Sequence, residues 1–463
     1  MTNQEKNLFF TQDDLPIFDL SQIYMVSSSW FDTGMADVWA TFDIIVRDMP
    51  PKRNFLIAAG LEEMIKGIQS WRYKDHHIKL LAREKLISPA FGRYLKRFRF
   101  HGDIDAITEG TVFFPQEPVI RITAPIIEAN LFTAFLINII SSNVPTVSKF
   151  VRSVVAANGK SVIGLGPQRC LSFEATLKGQ RSTYIAGSNN VPSPFTRLRL
   201  GIGGGDHATI GYHAFITSYA TESEAMHALG ESADLDFSLM VDTYDVNKGL
   251  TNAIKVAKKL KNQGKKLKAV VLDSGNLLKL SQLARNKLDR AGLKEVKITV
   301  ASNINEYRLA KLIKAKIPAD TFIVCTEAAT IPDAPGLEVV YKMSEIIDDN
   351  GRHPKMKFST NKISLPGQKQ VYRIKKGGVF AGDIIGLANE NVGHALLKPI
   401  FKNGRLVYKI PELKTIRQKV KREMKLLPKR YLSINREYKY PVKLSSGLKK
   451  LIKKLERQHK LKA

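Results

Sequence analysis

Apolar and polar residues alternate along the middle of this chain in a regular beat of strand, polar turn and helix. The run Phe237-Ser-Leu-Met-Val241 ends in Asp242-Thr-Tyr-Asp245 and gives way to helical spacing from Thr251 to Leu260. Leu267 to Leu272 ends in Asp273-Ser-Gly-Asn276, before a helical stretch from Leu277 to Ala291. Val296 to Ala301 ends in Ser302-Asn303, before Glu306 to Lys316, and Thr321 to Cys325 ends in Thr326. The strand ends fall 31, 29 and 24 residues apart. Buried apolar strands alternating with amphipathic helices predict right-handed βαβ units on a parallel sheet. Such a sheet carries its chemistry at the carboxyl edge. The acidic, hydroxyl and glycine residues gathered there suit a phosphorylated ligand that arrives with a metal ion.

The flanks are less regular. Residues 1 to about 150 mix strand-like runs (Phe113-Phe114, Val119 to Ile122) with helical ones (Leu56 to Ile68, Glu128 to Ile140). After about residue 345 the chain returns to a strand, Gln370 to Ile374, and then to basic helices. Three stretches are therefore expected: 1–150, 151–345 and 346–463. The chain of 463 residues, 44% hydrophobic and 25% charged, has the composition of a globular protein with a substantial core. No run of about 18 apolar residues stands out, so no membrane span is expected. The start is polar and free of a cleavable hydrophobic segment, which makes the cytoplasm the simplest location. Two cysteines, Cys170 and Cys325, provide neither a disulfide framework nor a metal-binding spacing.

A net charge of +29 asks for an anionic partner. From Phe401 to Ala463 there are 21 lysines and arginines against four acidic residues, an excess of 17. Leu448, Leu451, Ile452 and Leu455 share one helical face there, which reads as a solvated basic helix. Nucleic acid is not expected, because the aromatic residues that stack bases are missing from this tail.

At Asp242-Thr-Tyr-Asp245 and Leu272-Asp-Ser-Gly-Asn-Leu277 the chain resembles the nicotinate phosphoribosyltransferase family. Further blocks are similar in order: Asp19-Leu-Ser-Gln22, Ala58-Ala-Gly-Leu-Glu62, Glu109 to Pro115, Lys149 to Arg152, Pro366 to Arg373 and Tyr440 to Ser445. The resemblance implies an irregular α/β barrel with a flanking α/β domain formed by the N- and C-terminal segments, usually as a homodimer. It implies a reaction joining nicotinate to phosphoribosyl pyrophosphate, giving nicotinate mononucleotide and pyrophosphate. Mg²⁺ and ATP take part, through a transiently phosphorylated histidine. The segment from His213 to Tyr219 matches the family's histidine segment, so His213 is the candidate; His207, after a glycine-rich turn, is the runner-up. A neutral imidazole is nucleophilic near pH 7 and its phosphoramidate is labile. By the same resemblance Arg169, Arg181, Gly187, Asn190, Asp242, Asp273, Ser274, Gly275, Asn276 and Thr326 are expected to bind substrate. Asp273 is the expected Mg²⁺ contact, by way of substrate phosphates. An Asp or Asn in these turns can equally cap the helix that follows.

Departures from the family pattern gather at ligand positions. Ser21 stands where the family has an aromatic residue, Ile210 where it has a hydroxyl, and Val271 where it has an arginine before the Asp-Ser-Gly motif. Asn276 replaces the last Asp of that motif, and Gln168 the first of two arginines. Ile323-Val-Cys-Thr326 replaces Gly-Val-Gly-Thr. Three readings follow: an active enzyme with a rearranged pocket, an enzyme for another pyridine base such as nicotinamide, or a non-catalytic binding protein on the same fold.

Overall fold

The computed structural model describes residues 10–202, 209–210, 212–233, 236–358 and 364–460. Two compact units emerge: Thr146–Pro335 with Ile434–Arg436, and Met1–Pro145 with Gly336–Ser433 and Glu437–Ala463.

The first unit is the α/β barrel. Its strands are β1 (Ser161–Gly164), β2 (Thr209–Ile210), β3 (Asp236–Met240), β4 (Lys266–Leu272), β5 (Lys297–Val300) and β6 (Thr321–Val324). They lie in the order β1-β6-β5-β4-β3-β2, every neighbouring pair parallel. Among the described residues no ladder joins β2 to β1, which makes the ring irregular. The helices are α1 (Phe173–Ala186), α2 (Pro194–Leu200), α3 (His213–Thr217), α4 (Glu222–Ser232), α5 (Val246–Lys261), α6 (Leu277–Arg290), α7 (Glu306–Lys314) and α8 (Thr326–Thr330). Strand interiors such as Leu239, Val270, Ile298 and Phe322 are fully buried, as parallel strands covered on both faces must be.

The polar turns start the helices. Asp245 accepts a hydrogen bond from the Lys248 amide (2.8 Å), Asn276 from Lys279 (3.2 Å) and Asn305 from Arg308 (2.9 Å), each satisfying an amide at a helix N-terminus. Helix α5 packs closely on the end of β3: a Cβ at Gly249 would lie 2.3 Å from the Val241 carbonyl oxygen. Gly249→Ala is therefore expected to lower stability by about 1–3 kcal/mol, the usual cost of overpacking. A denaturant midpoint unchanged from the parent protein would contradict that packing.

The second unit joins the two ends of the chain in one sheet. Trp39–Val46 lies antiparallel between Val339–Asp348 and Pro118–Pro125, while Asp103–Ile107 pairs with Leu397–Lys402. Its core includes Ile44, Ile104, Ile122, Phe132, Leu136 and Ile400. The helix Thr133–Ala156 contains Pro145, where one unit gives way to the other. The span Ile126–Ala156 is long and apolar enough by composition to cross a membrane, yet 67% of its most apolar window is buried inside the fold. In the tail, Leu413–Leu426 buries Ile416 and Val420. Ser446–Lys460 buries Leu448 and leaves Lys449, Lys450, Lys453 and Lys454 exposed.

A side-chain cluster in this unit, Asp13, His76 and His77, brings possible metal-ligand atoms within 4.8 Å of one another. The Lys74 amide donates to His77 Nδ1 at 3.1 Å. That bond fixes the proton of the neutral ring on Nε2 and removes the lone pair a metal would need.

Candidate active site

The turns after β3 and β4 are linked through one carboxylate. Asp242 Oδ2 accepts hydrogen bonds from the Asp273 amide (2.6 Å) and from Ser274 Oγ (2.8 Å). Its other oxygen, Oδ1, is buried without a hydrogen-bond partner. Asp273 is half-buried beside it. Burial, and then the Asp242 charge, push the Asp273 carboxyl above the usual carboxylate range. The Ser302 amide, His213 and Arg169 pull it back, so all three lie within electrostatic reach of this carboxylate.

His213 opens α3, with Nδ1 3.0 Å from Thr243 Oγ1 in the turn after β3. Beneath this turn Glu222, 8% exposed, accepts from Asn252 Nδ2 at 3.0 Å, and its Oε1 has no hydrogen-bond partner. Burial raises the Glu222 carboxyl, and the Asp245 and Asp242 charges add to it. Carboxylates pushed together and left with unused oxygens store electrostatic tension that a cation relieves.

The remaining expected positions fall as follows. Arg169 is exposed in the turn Pro167–Arg169 after β1, whereas Arg181 is 9% exposed on α1. Gly187 ends α1 at φ +123°, a conformation that favours glycine, and a Cβ there would meet Val154 at 3.3 Å. Asn190 follows, its carbonyl accepting from Ser188 Oγ at 2.8 Å. Gly275 also has a positive φ, +70°. Asn276 spends its side-chain oxygen on capping α6. Thr326 is exposed at the start of α8, and Cys325 Sγ accepts from the Gly166 amide at 3.3 Å. Val271 is 3% exposed, and strand alternation puts it on the same face as Asp273, one pleat further in. Ile210 pairs through its backbone with Ser238 of β3. Ser21 is exposed at the start of a helix in the other unit, Ser21–Asp32. His207 lies outside the described residues.

Sequence reasoning missed Thr243 as the partner of His213 and Glu222 beneath the turn; it placed the Ser302-Asn303 turn at the carboxyl edge but not its contact with Asp273. Ser302 and Asn303 have consecutive positive φ values of 72° and 50°, unusual for residues with side chains. An Asn directly after a strand was the available signal, since Asn tolerates the left-handed region.

A family model described as the N-terminal domain of nicotinate phosphoribosyltransferase matches residues 17–141, and its C-terminal counterpart matches residues 391–452. Similar proteins cover the barrel as well. The nicotinate phosphoribosyltransferase pncB2 of Mycobacterium tuberculosis is 36% identical over 93% of this chain and 91% of its own length. The Bacillus subtilis nicotinate phosphoribosyltransferase is 30% identical over 98% of this chain and 97% of its own. The fold matches the crystal structure of human nicotinic acid phosphoribosyltransferase with a TM-score of 0.84 at 21% identity, covering 94% of this chain and 99% of that one. Whole-length similarity at these identities, on a barrel whose strand ends gather His213, Asp242 and Asp273, places the chain in the nicotinate phosphoribosyltransferase family.

Proposed function

We propose that this enzyme transfers the phosphoribosyl group of phosphoribosyl pyrophosphate to nicotinate, releasing pyrophosphate and feeding pyridine nucleotide salvage. The observation that carries the reading is the carboxylate pair Asp242–Asp273, set within electrostatic reach of His213 and Arg169 at the carboxyl edge of a parallel barrel. Hard oxygens with one buried lone pair unused fit Mg²⁺, which keeps several waters and shares the phosphates of its substrate. Asp273 and Asp242 would hold it, and it would neutralise charge on the departing pyrophosphate. Arg169, and Arg181 on α1, supply cations for a phosphate or for the carboxylate of nicotinate. Gly187, Asn190, Ser274, Gly275 and Thr326 line the turns at which phosphate oxygens approach backbone amides.

Coupling to ATP runs through His213. In the tautomer that donates Nδ1–H to Thr243 Oγ1, 3.0 Å away, Nε2 keeps the lone pair. Nε2 attacks the γ-phosphorus, the bond to the β,γ-bridging oxygen breaks, and ADP leaves. Water later takes the phosphoryl group and restores the ring. His213→Ala is expected to abolish the dependence of nicotinate mononucleotide formation on ATP while slow, uncoupled transfer persists. Product and ADP are measured together; full ATP-coupled turnover in the variant would remove His213 from this role.

The primary assay is conversion of nicotinate to its mononucleotide with phosphoribosyl pyrophosphate, Mg²⁺ and ATP. Absence of product with nicotinate and with nicotinamide, from folded protein, overturns the reading. The apolar Val271 beside Asp273 favours a second reading, a pocket for the uncharged base nicotinamide, and the same assay separates the two by their KM values. A cytoplasmic homodimer completes the proposal. Leu171, Phe173 and Leu198, each at least 80% exposed on the barrel unit, support a partner surface, and sedimentation tests it.

A further inference from the structure

The helix Thr133–Ala156 sends a lysine into the barrel unit that no step above uses. Lys149 is 1% exposed and its ammonium meets three carboxylates: Glu306 at 2.9 Å, Asp333 at 3.0 Å and Glu327 at 3.5 Å. Glu306, on α7, is fully buried and shared with Arg152 at 3.0 Å. Glu327 and Asp333 lie on the segment that follows β6, and they bracket the short helix α8 from its second residue to a point just beyond its end. That segment begins with Thr326, and Ile331 leaves α8 in the left-handed region at φ +45°, a costly conformation for a branched side chain. A five-residue helix holds its shape poorly alone, so its position has to come from outside. Lys149 is too deeply buried to touch a substrate, yet it grips both ends of the turn that presents Thr326.

We infer that Lys149 is a positioning residue for substrate phosphate, fixing the Thr326–Thr330 turn through Glu327 and Asp333. The inference rests on the proposed transferase reading. Charge-assisted contacts to a buried, otherwise anchored ammonium restrict the turn more than surface pairs could.

Removing Lys149 would leave Glu306 Oε2 in the interior without its cation, with only Oε1 still paired to Arg152, and would endanger the fold, so the test cuts the tether from the other side. Glu327→Gln with Asp333→Asn leaves the Lys149–Glu306–Arg152 core in place. With wild-type turnover established first, the double variant is expected to raise KM for phosphoribosyl pyrophosphate on the order of ten- to a hundred-fold, since small misplacement of a binding group is costly. KM for nicotinate and the melting temperature are expected to stay close to the parent values. An unchanged KM for phosphoribosyl pyrophosphate, or an equal rise for both substrates, overturns the inference. Inactive wild-type protein would instead overturn the transferase reading.

Discussion

Asp273→Asn is expected to lower kcat/KM for mononucleotide formation by roughly two to three orders of magnitude, the usual effect of removing one group aimed at developing charge. The same variant is expected to melt no lower than the parent at neutral pH. Both follow from the environment of the carboxylate. Its ionised form is disfavoured by burial and by Asp242, so its folded-state affinity for a proton is raised. A raised carboxyl contributes stability below its unfolded value of 3.8 and loses that contribution as pH climbs through the folded value. Above that value the native protein carries an ionised carboxylate in surroundings that favour the proton. The amide removes that burden along with the negative charge needed for the substrate's cation. Activity lost without stability lost marks a functional group; parallel loss of both would make Asp273 a structural residue and sink the assignment. Activity of the parent protein is expected to fall on the acid side at a pH above the ordinary aspartate range.

Local signals made the barrel legible. Because both are set by near neighbours, buried strand runs and helix periodicity gave β3 to β6 and α6 to α7 to within two residues, while α5 begins at Val246, five residues before the periodic stretch from Thr251. The turns between them were ambiguous for a physical reason: Asp and Asn serve helix amides and ligands with the same oxygen. Asn276 and Asp245 turn out to cap, while Asp242 ties two turns together. Contacts across the chain were illegible. Thr243 meets His213 over 30 residues of sequence, and Lys149 meets Asp333 over 184. Only strand order and helix packing bring such pairs together. The family resemblance supplied His213, but not why its ring is held. Conversely, the basic tail read correctly as a helix with one apolar face, since Leu448 is buried and the lysines around it are exposed.

Arg373→Met is expected to destabilise the flanking unit by about 3–5 kcal/mol at neutral pH, as removal of one partner from a buried ion pair does. Arg373 binds Asp383 through two hydrogen bonds of 3.0 and 2.6 Å, and both side chains are within 2% of full burial. The guanidinium also stacks on Phe380, 4.5 Å from its centroid, and reaches Glu423 at 3.5 Å. Glu117 shares the cluster with no exposure at all. Burial, and then Asp383, push its carboxyl well above the usual range. Without the arginine, two buried acids face each other with their cation gone, and the penalty shrinks when Glu117 takes up a proton. The destabilisation in urea is therefore expected to be larger at pH 8 than at pH 5. Glu117→Gln supplies the complementary sign. Because a raised carboxyl loses its stabilising contribution as pH rises from 4.5 towards the folded value, the amide is expected to remove that decline from the parent's stability curve. Combined with Arg373→Met it is expected to recover part of the loss at pH 8, since one of the two buried acids left without the arginine is gone. A double variant no more stable than Arg373→Met alone would show that Glu117 is not the charge that arginine holds in check.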